Sequence, residues 1–352
     1  MLRHFLAAIL FALPLWLQAQ VAQDSVPAIH PDAQQAYNDG IAAFEQKNYT
    51  VAIGRFTDAL QLEPQFAKAV SNRGQVYLLT GKFDEAIMDF EQLILWADTS
   101  VTAYEFLAQA YDQKGDSGKT VEIYNRAISK FPAEYAFYYN RGTLYFRQGK
   151  YTEALADFNK AVELRPSDAN ILNDRGSTHR MMGNLELAVA DYLAALKINP
   201  SQSFIYNNLG STLRQKKDYF GAIREYNNAL KNDNADYIVY NNRGLAYLDA
   251  GKYDEALKDF NEVVRLRPDY VFGYNNRAAA LIRLKKYEEA VKDCDEAIGK
   301  DASYAEAYLN RGIAKEMLRD VTGACNDWLM ASNLGLQSAE AYYTSGSCNE
   351  VR

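Results

Sequence analysis

Between Ala33 and Ser338, apolar residues fall into pairs of short runs with helical spacing, and each pair recurs every 34 residues, nine times over. The copy from Tyr135 to Asp168 shows the unit. Ala136 to Gln148 carries apolar residues at three- and four-residue intervals and stops at Gly149. Thr152 to Leu164 resumes with Ala154, Leu155, Phe158, Ala161 and Val162 on one face, and Pro166 forbids continuation. The spacing predicts two amphipathic helices joined by a tight turn, with no strand signal. Helices this short are marginal alone in water, so each hairpin is expected to bury its apolar face on its neighbours. A fixed period of this length predicts a stacked, quasi-linear architecture rather than a closed globule.

Each repeat is numbered from 1, starting at Ala33, Ala67, Val101, Tyr135, Ala169, Ser203, Tyr237, Val271 and Ala305. Position 8 is then Gly in seven copies and Ala at Ala108 and Ala278, and position 20 is Ala in eight, with Thr120 as the exception. Position 24 is aromatic in eight copies and Cys294 in the other. A large ring beside a small residue fills space without a void, which predicts that the two helices close on each other at positions 8, 20 and 24.

Glycine at position 8, alanine at 20 and 27, an aromatic at 24 and proline at 32 resemble the tetratricopeptide repeat (TPR). The fold this implies is all-α: a right-handed superhelical solenoid of nine helical hairpins, whose first helices line a concave channel. Departures are local. The family's tyrosine at position 11 is present as Tyr77, Tyr111, Tyr145 and Tyr247, while Asp98, Asn234, Ala302 and Leu336 replace the proline. A half-length copy is expected over 339–352 as a capping helix. Ala339-Glu-Ala-Tyr342 repeats Ala305-Glu-Ala-Tyr308, Gly346 falls on position 8, and Ser345, Asn349, Glu350 and Arg352 suit a polar outer face. Cys325 at position 21 and Cys348 at position 10 are expected to meet across this last joint as a disulfide, the alternative being two buried thiols. Cys294 is expected to stay reduced in the core.

Charge follows the period too. Position 7 is Arg in six copies (Arg73, Arg141, Arg175, Arg243, Arg277, Arg311), and in all six position 23 is Asp. Repeat one inverts the charges as Asp39 and Arg55, repeat three has Leu107 and Ile123, and repeat six has Leu209 and Glu225. The correlation predicts an ion pair inside each hairpin rather than a ligand-binding row.

Position 6 is Asn in seven copies, including Asn140, Asn208, Asn242, Asn276 and Asn310, and position 5 adds Asn173, Asn207, Asn241 and Asn275. Asn is a poor residue for a helix interior, so its persistence there calls for a reason. An amide offers both donor and acceptor, which suits an extended polypeptide held by its main chain; the alternative is a tolerated or packing residue. The pattern resembles the asparagine-lined channel of the repeat segment in O-linked N-acetylglucosamine transferases, without a transferase domain. The resemblance implies peptide binding at these amides. Arg147, Arg180, Arg214 and Arg283 sit between the amides and are expected to favour acidic or carboxylate-bearing guests. The two-carboxylate clamp of chaperone-cofactor members needs Lys beside the amides, and at positions 2 and 5 only Lys68 fits.

Composition narrows the reading. Arg3 and His4 precede the apolar run Phe5 to Leu17, with small residues at Ala19 and Ala22, so 1–19 reads as a secretory signal and 20–32 as a linker. Thirteen residues broken by Pro14 fall short of the roughly 20 that span a bilayer. Export to the periplasm or cell envelope of a bacterium follows as an expectation. The net charge of −7, spread along the helices, argues against nucleic acid as a partner. Gly115-Asp-Ser-Gly-Lys-Thr120 resembles the end of a phosphate loop but has Gln113 where its first Gly belongs, and reads as an inter-helix turn. Beyond the leader only His30 and His179 remain, so no metal site, cofactor or catalytic triad is expected. The sequence thus predicts a non-enzymatic scaffold, 33–338, that captures an extended or helical protein segment. The alternatives are an assembly factor for cell-envelope complexes acting through its convex face, or an accessory unit of an enzyme.

Overall fold

The computed structural model describes residues 29–96, 99–344 and 348, among which lie nineteen α-helices and no strand. Nine consecutive helix pairs follow the 34-residue register, and a short helix, Gln337–Tyr343, follows them. The expected leader, Ser345, Gly346, Asn349, Glu350 and Arg352 lie outside the described residues. The first helix, Pro31–Glu45, starts two residues inside the stretch read as linker, with the His30 ring accepting from the Asp32 amide. The chain divides into two compact units after Ile123, inside the helix Ser117–Lys130, and each unit stacks its own hairpins.

The turn inside each hairpin has one conformation. Position 15 has positive φ in every described repeat: Gly81, Gly115, Gly149, Gly183 and Gly251 in five, and Lys47, Lys217, Lys285 and Arg319 at 59 to 69° in four. This left-handed residue lets the next backbone N–H turn back onto the first helix, as when Lys150 N–H donates to the Tyr145 carbonyl at 2.9 Å. Gly115 occupies such a turn, so the phosphate-loop lookalike is a helix junction.

Small-against-large packing closes the hairpins. A Cβ on Gly244 would lie 2.7 Å from a Phe260 ring carbon, and one on Gly142 would lie 3.0 Å from Phe158. Both rings are fully buried. At Ala278, where position 8 carries a methyl group, position 24 is the smaller Cys294, in the same cluster; the other such alanine, Ala108, belongs to a repeat that keeps Tyr124 at position 24. Burial pushes the Cys294 thiol well above its ordinary range, so it stays protonated and inert.

All six Arg–Asp pairs form, each as a two-pronged fork. In repeat seven Arg243 Nε and Nη2 donate to the two Asp259 oxygens at 2.8 and 2.6 Å, with Asp259 buried. The third arm goes backwards: Arg243 Nη1 donates to Asn227 Oδ1 of the preceding repeat at 2.5 Å. The same arm reaches Thr57 from Arg73, Asn125 from Arg141, Asn159 from Arg175, Asn261 from Arg277 and Asp295 from Arg311, always at position 25 of the repeat before. One guanidinium therefore ties together two hairpins. Burial raises the Asp259 carboxyl above its ordinary value even with Arg243 bound, so desolvation offsets much of the attraction.

Repeat one does not form the inverted pair. Arg55 bonds Asp58 at 3.3 Å along its own helix, and Asp39 accepts from Gln35 at 2.9 Å. Both groups are exposed, and no earlier hairpin among the described residues covers them, so water competes with the pair. In repeat six Glu225 turns instead to Arg224 and Asn228.

At the carboxyl-terminal end Cys325 and Cys348 are bonded, with their Cα atoms 5.6 Å apart. The bridge lies beside Trp328 and Tyr343 in one apolar cluster.

Mutational outcomes follow from this packing. Gly142→Leu lowers stability by about 1–3 kcal/mol, read as a shift of the urea midpoint. Gly54→Leu, exposed in the middle of the helix Tyr49–Leu62 where a Cβ meets nothing within 4 Å, does not lower the midpoint and gains up to about 1 kcal/mol of helix propensity. Arg243→Ala costs about 3–5 kcal/mol by stranding Asp259. Exchanging the two residues, Arg243→Asp with Asp259→Arg, recovers part of that loss, and a double variant no better than the single would refute the pairing as the cause.

Candidate functional site

The asparagine rows build a ladder between successive first helices of the second unit. Asn208 Nδ2 donates to Asn173 Oδ1 at 2.9 Å, Asn242 to Asn207 at 2.9 Å, Asn276 to Asn241 at 2.8 Å and Asn310 to Asn275 at 2.8 Å. Each bond runs from position 6 of one repeat to position 5 of the repeat before. Tyr takes the place of the amide elsewhere: Tyr37 accepts from Asn72 at 3.0 Å, and Tyr139 donates to Asp174 at 2.8 Å.

This geometry separates the two rows. Asn173, Asn241 and Asn275 were expected to face a guest, yet they are buried, because position 5 points at the following first helix. Asn207 is half-buried but spends its oxygen in the same way. Asn208, Asn242, Asn276 and Asn310 are half-buried and use one Nδ2 hydrogen in the ladder, which leaves their carbonyl oxygens with no partner among the described residues. Asn140 is half-buried as well.

The two arginines differ. Arg214 Nε donates to Asp249 Oδ2 at 2.6 Å. Arg180 forms no ion pair among the described residues, and its Nε is buried with no hydrogen-bond partner there. Nearby, His179 has its imidazole pKa lowered by burial and its Nδ1 left unpartnered, so the ring is neutral at pH 7.

Sequence reasoning missed an apolar row one turn before the amides. Phe204 and Phe272, both at position 2, are 47 % and 50 % exposed. Phe272 contacts Tyr270 and Tyr304, with ring centroids 5.3 and 5.2 Å away, and the Tyr304 hydroxyl accepts from Asn275 Nδ2. The ladder and these rings thus share one surface. The signal was available in the sequence, since Phe204, Ile238 and Phe272 are bulky apolar residues at a position that the hairpin core does not use.

Asp174 is the one carboxylate in the ladder among the described residues. It accepts from Tyr139 and from Asn173 Nδ2 at 3.0 Å, and burial pushes its carboxyl up to about 6 despite both bonds. A folded-state value above the unfolded one means stability is lost as pH rises from about 4 through about 6. The whole window is worth at most about 3 kcal/mol, at roughly 1.4 kcal/mol per pH unit. Asp174→Asn would copy the Tyr37–Asn72 bond without the charge. The variant is expected to melt higher than wild type at pH 8 and at nearly the same temperature at pH 4. Thermal circular dichroism at both pH values checks this, and parallel curves would reject it.

No group of three or more His, Cys, Asp or Glu side chains that could hold a metal occurs among the described residues. No helix among them is long and apolar enough to cross a membrane.

Comparison with known proteins agrees with the helical register. Tetratricopeptide repeat profiles match residues 37–100, 101–130, 135–168, 169–202, 237–270 and 274–299. The chain is similar to Hsp70-Hsp90 organizing protein 1 of Glycine max, 29% identical over 102 residues, which is 26% of this chain and 18% of that protein. It is also similar to human DnaJ homolog subfamily C member 7, 34% identical over 92 residues, 25% of this chain and 19% of the relative. The chain therefore spans about a fifth of the length of these curated relatives. Among solved structures, a tetratricopeptide repeat protein from Parabacteroides merdae covers 69% of this chain and 97% of its own, at 24% identity and TM-score 0.57. The C-terminal part of a TPR repeat-containing protein from Cytophaga hutchinsonii covers 70% of this chain and 100% of its own, at 20% identity and TM-score 0.56. With profile matches over more than half of its length and helix pairs in the matching register, the chain belongs to the tetratricopeptide repeat family, whose repeats form scaffolds for protein–protein interaction.

Proposed function

We propose that this scaffold, exported and non-enzymatic, captures a polypeptide segment on the first-helix wall of repeats five to eight. The observation that carries the reading is the pairing of exposed Phe204 and Phe272 with a row of half-buried amides whose carbonyl oxygens have no partner among the described residues. Apolar side chains of a guest gain from covering the rings, and its backbone N–H groups gain acceptors at Asn208, Asn242 and Asn276. The wall is preformed, because the ladder fixes each amide before any guest arrives, so only the guest loses conformational freedom on binding. The buried amides at positions 173, 241 and 275 serve as the frame of that wall rather than as its contacts.

A photo-crosslinking amino acid at position 204 or 272 should give protein adducts in the native compartment, while one at Phe220, a second-helix residue 66 % exposed, should not. Phe204→Ser with Phe272→Ser should lower capture about tenfold or more, given roughly 1.5–3 kcal/mol per buried aromatic side chain. Adducts from 220 alone would instead place the binding surface on the second helices.

A further inference from the structure

Repeats five and six share a feature that the period does not impose. Each carries Ser at position 9 and Arg at position 12, as Ser177-Thr-His-Arg180 and Ser211-Thr-Leu-Arg214, and each has tyrosine at position 24. Repeats seven and eight have Leu245 with Leu248 and Ala279 with Ile282 at the same places. Positions 5, 9 and 12 follow one another at four- and three-residue intervals, so the serines and arginines continue the amide stripe down the same helix face.

The hydroxyls are already committed. Ser177 Oγ lies 3.0 Å from the Tyr192 hydroxyl, and Ser211 Oγ lies 3.1 Å from that of Tyr226 while donating to the Asn207 carbonyl. Both tyrosine rings are buried, and Tyr192 presents its hydroxyl to Arg180 and Thr212. This framework holds the guanidinium of Arg180 against polar but uncharged neighbours.

The contrast with Arg214 is decisive. Arg214 at position 12 finds Asp249 at position 13 of the next repeat. The same step from Arg180 arrives at Gln215, which is exposed and neutral. Arg180 therefore occupies half of an ion-pair site that has Gln215 where the acid would stand, and its buried Nε has no acceptor. A half-buried guanidinium with an unpaired Nε and no counter-charge among the described residues favours a planar anion that it can grip with two parallel bonds.

We propose that Arg180 receives a carboxylate of the captured polypeptide, from an Asp or Glu side chain or from a free carboxyl terminus, in the place that Asp249 fills for Arg214. The assignment rests on the reading that the first-helix wall takes a polypeptide. It makes repeats five and six the acid-reading end of that wall and leaves the apolar contacts to repeats six and eight.

The test follows the Arg180 Nε–H resonance by NMR in the full mature chain, with Arg180→Lys to assign it. Four probes are titrated: Ac-Ala-Asp-Ala-amide, Ac-Ala-Ala-Ala with a free carboxyl terminus, Ac-Ala-Asn-Ala-amide, and inorganic phosphate. A saturable shift with either carboxylate peptide and none with the Asn peptide is expected, and the first two arms tell the side-chain source from the terminal one. Gln215→Glu should supply the acid from within the chain, shift the resonance without any probe, and abolish the response to both carboxylates. No carboxylate response, an equal response to the Asn peptide, a response to phosphate alone, or an unchanged titration in Gln215→Glu would each overturn the assignment. None of these results alters the crosslinks expected from positions 204 and 272, so this inference and the capture reading fail separately.

Discussion

The guanidinium at position 7 is the fastening on which the stack depends. Two of its arms hold the aspartate across the hairpin, and the third holds the preceding repeat at position 25. Removing such a group from water is costly, and the attraction to one carboxylate hardly offsets it. What makes the arrangement tenable is that every arm has an acceptor. Tyrosines at positions 4 and 11 add faces on either side, as Tyr240 and Tyr247 do around Arg243 at 5.3 and 5.9 Å from the ring centroids. A charge fully bonded in one register is stranded in every other, so the pair contributes to alignment more than to net stability.

On the opposite side of the first helix the amide ladder repeats this logic without charge. Each rung links neighbouring first helices by a side-chain bond, while Gly at position 8 admits the ring at position 24 between the two helices of a hairpin. Backbone turn, steric closure, ion fork and ladder therefore share one period, and each depends on the others for its geometry. Asp174 is the local exception: a carboxylate stands where the pattern asks for an amide, and the fold carries its burial.

Much of this was legible in the residues. Helix pairs, their junctions and the small-against-large closure follow from Gly142, Ala154 and Phe158, because spacing within one repeat dictates them. The Arg–Asp forks followed from correlated identities such as Arg243 with Asp259. The third arm did not, because position 25 varies among Thr57, Asn227 and Asp295, and only three-dimensional placement shows that each offers an oxygen. Repeat one misled for a related reason: Asp39 and Arg55 have the right charges but lack the desolvated setting that would bring them together. The site was read less completely than the fold. Asn173, Asn241 and Asn275 looked alike with Asn208 and Asn242 as letters, yet one helical step turns the first group inward and the second toward solvent. Phe204 and Phe272 went unnoticed because a single exposed aromatic is ordinary and only its recurrence beside the ladder gives it meaning.

The ladder also has a sense of direction. Every asparagine–asparagine rung is donated by the later repeat to the earlier, while Tyr139 donates the other way, to Asp174. Asp174 fixes the choice at that end: as an acceptor it obliges the Asn173 amide to give it a hydrogen, which leaves the Asn173 oxygen for Asn208. The rungs are therefore a set of dipoles aligned in parallel rather than alternating. An extended strand laid on such a surface from amino to carboxyl end meets a different sequence of partial charges from one laid in reverse, so a column of identical side chains can still tell head from tail.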